Sequence, residues 1–372
     1  MRKIVITGGH LTPSLLVIEE LQKRSGWEIF YLGRKYATEG DRSSSLEAKI
    51  ILQKGVNFLP LNAGRLQQKF TRYTFSAFLR IPFGFLQAFF YLLRIKPNIV
   101  LSFGSYVSVP VVFSAWLLKI PVIIHQQTLV MGKADKINTK YARKIAVSWP
   151  ESLNNFPKEK VILTGNPLRP DLFKTDNRFL DSLNLDKNLP LILVTGGNQG
   201  SHRINSAVEG VLKKLLDKYN IFHQTGNVGN FHDFERLTKI KDNLPSQFKN
   251  RYYLSRFTSG TDWTTFLNKA DLVISRAGIN TLSELIALNK PCLLIPIPWL
   301  FNNEQNVNAQ MMKKLGLAEI INQDDLSPEK LYQKIIMIMS QIKNYQKTNN
   351  KTTKLINLEA AVKIVNELEK LV

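Results

Sequence analysis

Two stretches far apart in the chain share one grammar. KIVITGG at 3–9 and LPLILVTGGNQG at 189–200 each carry a short aliphatic strand into a pair of glycines, and helical patterns follow, SLLVIEELQKR and SHRINSAVEGVLKKLLDK. A buried strand that ends in a glycine turn and feeds a helix is the repeating unit of a parallel sheet, because parallel neighbours need a crossover. The first stretch is succeeded by WEIFYLG, VNFLPL, PNIVLSF, PVIIHQ, KIAVSW and VILTGN, the second by IFHQTG, YYLSRF, DLVISR and PCLLIPI. Most lie far enough apart for a helix between them. A deeper echo joins the halves: VLSFGSYVSVPVVFSAWLLKIPVIIHQ and LVISRAGINTLSELIALNKPCLLIPI share strand, glycine turn, helix, a lysine–proline step and a second apolar strand.

The chain therefore reads as α/β, with two Rossmann-like domains facing across a cleft. At 372 residues it exceeds what one core usually serves. The expected domains are 1–166 and 167–345. The polar tract KNYQKTNNKTTK then leads to a last helix in INLEAAVKIVNELEKL, so that 346–372 packs back on the first domain. Thr12 and Pro13 read as an N-cap and a first helical proline.

In an open parallel sheet, ligands bind beyond the carboxyl ends of the strands. The turns expected there are TGGH, FGSYVS and HQQ in the first half, and GGNQG, HQTG, RAGINTLSE and FNNEQN in the second. Neither G-x-G-x-x-G nor G-x-x-x-x-G-K-S/T occurs, which argues against a dehydrogenase or a P-loop enzyme. Within SRAGINTLSEL, Thr281 and Glu284 fit a capping box, with Gly278 as a positive-φ turn residue. The same turn can serve as an anion and sugar site, where helix NH groups meet phosphate and a carboxylate accepts from ribose hydroxyls. The local pattern allows both.

Fifty Lys and Arg against twenty-nine Asp and Glu give a net charge of +21, which predicts attraction to polyanions: nucleic acid, phosphorylated substrates or an anionic membrane. Composition does not choose among them. The single cysteine, Cys292, sits in an apolar run and reads as a small core residue. The opening MRKIVITGG enters a strand without a leader pattern, and no apolar run reaches the length of a spanning helix, so a cytoplasmic, soluble or peripheral protein is expected.

Six of these motifs, in this order, resemble glycosyltransferase family 28, whose members have the GT-B fold. FGSYVSVPVV is similar to the family's second glycine loop, HQQ to its HEQN, TGNPLR to its interdomain strand and GGNQGS to its GGSQGA. RAGINTLSE and NNEQNVNA are similar to its donor signatures. The resemblance implies an inverting transfer of N-acetylglucosamine from UDP-N-acetylglucosamine to undecaprenyl-diphospho-muramoyl peptide, in peptidoglycan synthesis, at the inner face of the cell membrane. No nucleic-acid partner is expected.

By position, the resemblance assigns Glu284 to the ribose, Thr281 and Arg169 to the diphosphate, and the backbone at Ile279 to uracil. Asn198 and Gln199 fall in the donor loop, and Glu304, Gln305 and Asn308 against the sugar. Gly8, Gly9, Gly104, Ser105, Tyr106, His125, Gln126 and Gln127 fall on the acceptor side. Two departures stand out there. The first loop, TGGH, is about three residues shorter than the family's GGTGGH, and HEQN has become HQQT, with loss of a carboxylate.

His10, at the mouth of the first loop, is the candidate base because an imidazole suits proton transfer near neutrality; capping a loop carbonyl or holding the acceptor phosphate are its alternatives. His125 is expected to order the cleft, and His223 and His232 to be structural. No paired carboxylates occur in the donor motifs, so no metal or other cofactor is expected. The segment 70–96, FTRYTFSAFLRIPFGFLQAFFYLLRIK, interleaves phenylalanine with Arg72, Arg80, Arg94 and Lys96. It suits either a core helix pair or a helix at a lipid interface. Another family 28 transferase, a UDP-sugar epimerase of the same fold, or a non-catalytic binder remain as alternatives.

Overall fold

The computed structural model describes residues 1–34, 45–64, 74–197, 199–226, 231–258, 260–346 and 355–372. The chain divides into two compact units, 1–168 with 357–372, and 169–356. The division falls inside TGNPLR, between Leu168 and Arg169, a stretch that is not itself a strand.

The first unit holds β1 (Arg2–Gly8), α1 (Leu11–Lys23), β2 (Trp27–Gly33), α2 (Leu46–Gln53), β3 (Asn57–Pro60), α3 (Thr74–Ile95) and β4 (Ile99–Phe103). It continues through α4 (Ser108–Leu117), β5 (Val122–Gln126), α5 (Lys133–Tyr141), β6 (Lys144–Val147) and β7 (Val161–Leu163). The seven strands pair in the order β3-β2-β1-β4-β5-β6-β7, all parallel. Successive residues of β1 serve opposite faces, as the strand period requires. Ile4 and Ile6 join Val17 and Leu21 of α1, while Val5 joins Leu92 of α3 and Val111 of α4. Both faces of the sheet are thus covered by helices, which is why its central strands are unbroken apolar runs.

The second unit holds α6 (Asn177–Ser182), β8 (Leu191–Thr195), α7 (His202–Glu209), α8 (Leu212–Leu216), β9 (Asn220–Gln224), α9 (Asp233–Asp242), α10 (Ser246–Lys249) and β10 (Tyr252–Ser255). Then come α11 (Gly260–Lys269), β11 (Leu272–Ser275), α12 (Ile279–Ala287), β12 (Cys292–Leu294), α13 (Glu304–Lys314), β13 (Ala318–Ile320), α14 (Pro328–Ser340) and α15 (Ile342–Gln346). Its six parallel strands follow β10-β9-β8-β11-β12-β13, the same order as the first six of the other sheet. Cys292 is buried at the start of β12.

The last helix, α16 (Ala360–Glu369), belongs to the first unit. Its Ile364, Val365 and Leu368 complete the core cluster over α1. Arg24 pairs with Glu369 at 2.7 Å, Lys144 with Glu367 at 2.6 Å, and Asn357 Nδ2 donates to the Thr164 carbonyl at 2.7 Å.

Four local expectations change. α1 starts at Leu11 with His10 as its N-cap residue, so Thr12 and Pro13 lie inside the first turn. The helix after GGNQG breaks at Gly210, against which Pro328 packs. β13 is an additional strand, three residues long and too short to show a period. The described part of 70–96 is one helix, α3, not a pair; Arg72 lies outside the described residues. No helix among the described residues is long and apolar enough to cross a membrane.

Candidate active site

Each sheet reverses its strand order once, between β1 and β4 in the first unit and between β8 and β11 in the second. At such a switch point, adjacent turns lead away in opposite directions and leave a crevice beyond the strand ends. The register brings Gly8 beside Phe103 and Thr195 beside Ser275, so the paired glycine motifs are neighbours at each reversal.

In the second unit, Gly200 NH closes the loop after β8 on the Gly197 carbonyl at 3.0 Å. Gly226, beyond β9, has φ +71°, and a Cβ there would lie 2.3 Å from Gly200 Cα; only glycine lets the two loops meet. Arg276 is buried and donates to the Ile295 carbonyl (2.9 Å), Ser201 Oγ (2.7 Å) and Gln323 Oε1 (2.7 Å). Burial pushes its pKa down to about 10. This cation braces the loops from within.

The capping box does not form. α12 begins at Ile279, no side chain caps it, and Thr281 and Glu284 lie inside the helix, Glu284 in its second turn. Gly278 is the N-cap with φ −73° and ψ 131°, an extended conformation, and a Cβ there would meet nothing within 4 Å. The turn fronts open space. The first-turn NH groups of Ile279 and Thr281 have no partner inside the helix and carry the positive end of its dipole.

Glu284 is buried. Its Oε1 accepts from Arg169 Nε at 2.8 Å and its Oε2 from Trp263 Nε1 at 3.3 Å. Burial raises the carboxyl pKa, opposed by the Arg169 charge and the Trp263 bond. Gln305 Oε1 accepts from Ile297 NH at 3.0 Å, and Asn308 Nδ2 donates to the Ala277 carbonyl at 3.1 Å. Both are buried and tie α13 to the turns; Glu304 is half-buried at the helix start and Gln199 is exposed. Asn198 lies outside the described residues.

In the first unit, Tyr31 Oη donates to the Gly8 carbonyl at 3.2 Å. The two glycine turns touch, since a Cβ on Gly9 would lie 2.7 Å from Ser105 Cβ. Gly104 and Ser105 are both left-handed, at φ +72° and +71°. Asp135 on α5 fills the space a Gly104 Cβ would need, at 2.6 Å, and burial raises its pKa to about 6 against a bond from Gly132 NH. Tyr106 is half-buried in the same turn. His10 keeps some exposure yet is hemmed in enough that desolvation lowers its pKa to about 4, so it is neutral at pH 7 and able to accept a proton.

His125 is buried, its Nε2 at 3.2 Å from the Gly165 carbonyl and 3.3 Å from Ser148 Oγ, and burial lowers its pKa to about 4. Gln126 Nε2 donates to the Thr128 carbonyl (3.1 Å) and Oγ1 (2.9 Å), and Trp149 Nε1 donates to the Gln127 carbonyl at 2.8 Å. His125, Gln126 and Gln127 are each no more than 3% exposed. They form the floor behind the turn, where the resemblance would put them in contact with acceptor.

Residues 6–147 match the glycosyltransferase family 28 N-terminal domain, and residues 191–368 its C-terminal domain. A Clostridium botulinum protein named UDP-N-acetylglucosamine--N-acetylmuramyl-(pentapeptide) pyrophosphoryl-undecaprenol N-acetylglucosamine transferase is 36% identical over 379 residues, covering 100% of this chain and 99% of its own. The chain belongs to glycosyltransferase family 28. A protein of the same name from Lachnoclostridium phytofermentans is 32% identical, with 98% of this chain and 100% of its own covered. Among solved structures, Acinetobacter baumannii MurG superposes with a TM-score of 0.73 at 23% identity, covering 100% of both chains. UDP-GlcNAc 2-epimerase from Neisseria meningitidis does so with 0.64 at 15% identity, again over 100% of both. These two likenesses show the GT-B fold.

In this family 28 glycosyltransferase, Trp263, Asp135 and Tyr31 each contact a motif residue, and Glu47 stands behind Tyr31. None carries a local signal. Trp263 stands 21 positions before Glu284 on another helix and meets it only in the fold.

Proposed function

We propose that this enzyme transfers N-acetylglucosamine from UDP-N-acetylglucosamine to an undecaprenyl-diphospho-muramoyl peptide, with inversion at the anomeric carbon. The observation that carries this reading is end-to-end similarity to relatives named for that reaction. In the second unit, the open N-terminus of α12 takes the UDP diphosphate, with the Arg169 guanidinium, about a quarter exposed, contributing charge. Glu284, already fixed by Arg169 and Trp263, accepts from the ribose hydroxyls with its remaining lone pairs. The acceptor hydroxyl attacks the anomeric carbon, its proton passes to neutral His10, and the leaving UDP carries its charge into preorganised donors, each contributing ~3 to 4 kcal/mol. The reaction needs no metal, so a chelator should leave the rate unchanged.

The acceptor's lipid is met at a membrane. On α3, Phe83, Leu86, Phe90 and Leu93 are exposed at three- and four-residue spacing, a stripe along one helix face. α4, packed on α3 through Phe85 and Phe113, adds exposed Trp116 and Leu117. Arg80, Arg94 and Lys96 flank the stripe with positive charge, the combination that binds an anionic bilayer peripherally.

The deciding experiment supplies labelled UDP-N-acetylglucosamine and a short-chain acceptor. A glycosylated lipid with stoichiometric UDP is expected. UDP release without glycolipid, or free epimerised sugar, would defeat the reading and favour a different acceptor or the epimerase chemistry of the structural neighbour.

A further inference from the structure

Tyr31 has one hydroxyl proton and two acceptors for it. The side chain is fully buried, and Oη lies 3.2 Å from the Gly8 carbonyl oxygen and within hydrogen-bonding reach of the Glu47 carboxylate. Gly33 permits this crowding: a Cβ there would lie 2.5 Å from Glu47 Oε1 and 2.8 Å from Tyr31 Cε1. Glu47 Oε1 is buried with no hydrogen-bond partner of ordinary geometry, and Oε2 stands 3.8 Å from Arg34 Nε, itself buried without one.

The arrangement has two proton distributions. With Glu47 ionised, the carboxylate competes for the phenolic proton, and the Gly8 carbonyl loses its donor. With one proton taken up from water, the carboxyl OH donates to Tyr31 Oη and commits the phenolic proton to Gly8. We propose that Glu47 and Tyr31 form a protonation relay that sets the Gly8 carbonyl and, through it, the placement of His10 two residues on. Glu47 is on this account a positioning residue. Its burial raises the carboxyl to about 7, against the Tyr31 bond and the Arg34 charge, so the relay changes state near neutrality. Among the described residues, the titratable or charged groups facing Glu47 are Tyr31 and Arg34, both from β2 or its end; Ser14 of α1 adds a polar contact to the Tyr31 hydroxyl. The link to catalysis rests on the reading that the Gly8–His10 turn faces the acceptor.

The test uses full-length protein with isotope-labelled histidine, the His10 ring resonance being assigned with His10→Gln. The ring shift should show an inflection near pH 7, well above the titration of His10 itself, and Glu47→Gln and Tyr31→Phe should each abolish it. Over the same range the acceptor KM should change at least threefold in the parent and stay level in both variants, with the donor KM unmoved. A His10 signal flat through neutrality, or an inflection that survives both substitutions, would overturn the relay. An inflection that depends on Glu47 without any change in acceptor KM leaves the relay standing and removes the turn from the acceptor site.

Discussion

At Glu284 one carboxylate holds a neighbouring arginine and is also the expected ribose ligand. Both roles fit its geometry, because two oxygens offer about four lone-pair sites and the chain's own bonds use two. Glu284→Gln should weaken UDP binding by roughly 1.5 to 3 kcal/mol, the range for a charged hydrogen bond. Calorimetry with UDP checks this, and unchanged affinity in a folded variant would confine the residue to bracing Arg169. Glu47 gives a prediction of opposite kind. Its pKa is raised from 4.5 to about 7 by burial, so the folded state binds the proton more tightly than the unfolded chain. The stability this contributes is full below about 4.5 and is lost as pH rises through about 7. Glu47→Gln should flatten that fall, whose ceiling is on the order of 3 kcal/mol; urea unfolding across the pH range measures it.

Among the elements, α3 shows most plainly how a helix can serve two environments. Ala88, Leu92 and Ile95 turn inward on the first unit's core, while Phe83, Leu86 and Phe90 stay in water at more than half exposure. Exposed aromatics in such a stripe weaken solubility unless something covers them. Replacing Phe83, Leu86 and Phe90 with asparagine should lower binding to anionic vesicles at least tenfold, since each buried side chain is worth about 1.5 to 3 kcal/mol. Turnover of a detergent-soluble acceptor should persist. Co-sedimentation equal to the parent would place the membrane surface elsewhere. The turn after β4 is equally specific. Gly104→Ala would meet both a left-handed backbone and Asp135 Oδ1 at 2.6 Å, and should cost about 1 to 3 kcal/mol in thermal or urea unfolding.

For the whole molecule, the chain's return to its first unit is the feature with the largest structural consequence. Ile364 and Leu368 are fully buried over α1, so truncating either to alanine should destabilise the first unit by about 2 to 5 kcal/mol. Hydrogen exchange would show lost protection in β1 and α1, with β8 and β11 unchanged if the units open separately. The sheet architecture was legible in the order of residues, because strands buried on both faces must be written as short apolar runs with glycine at their ends. That order also located the turns, since KIVITGG, FGSYVS, GGNQG and RAGIN each mark where a strand stops. What it left undecided was the partner of each polar side chain. Thr281 and Glu284 satisfy a capping pattern, yet the helix starts earlier, at Ile279, and the carboxylate is taken by Arg169 and Trp263. His125, Gln126 and Gln127 read as a binding motif and are buried as a floor. Tyr31 and Glu47 show no pattern at all, because they meet across the end of β2 and the start of α2. Local periodicity reports which face a residue occupies; the group across from it is chosen by packing between segments distant in sequence, which no local pattern encodes.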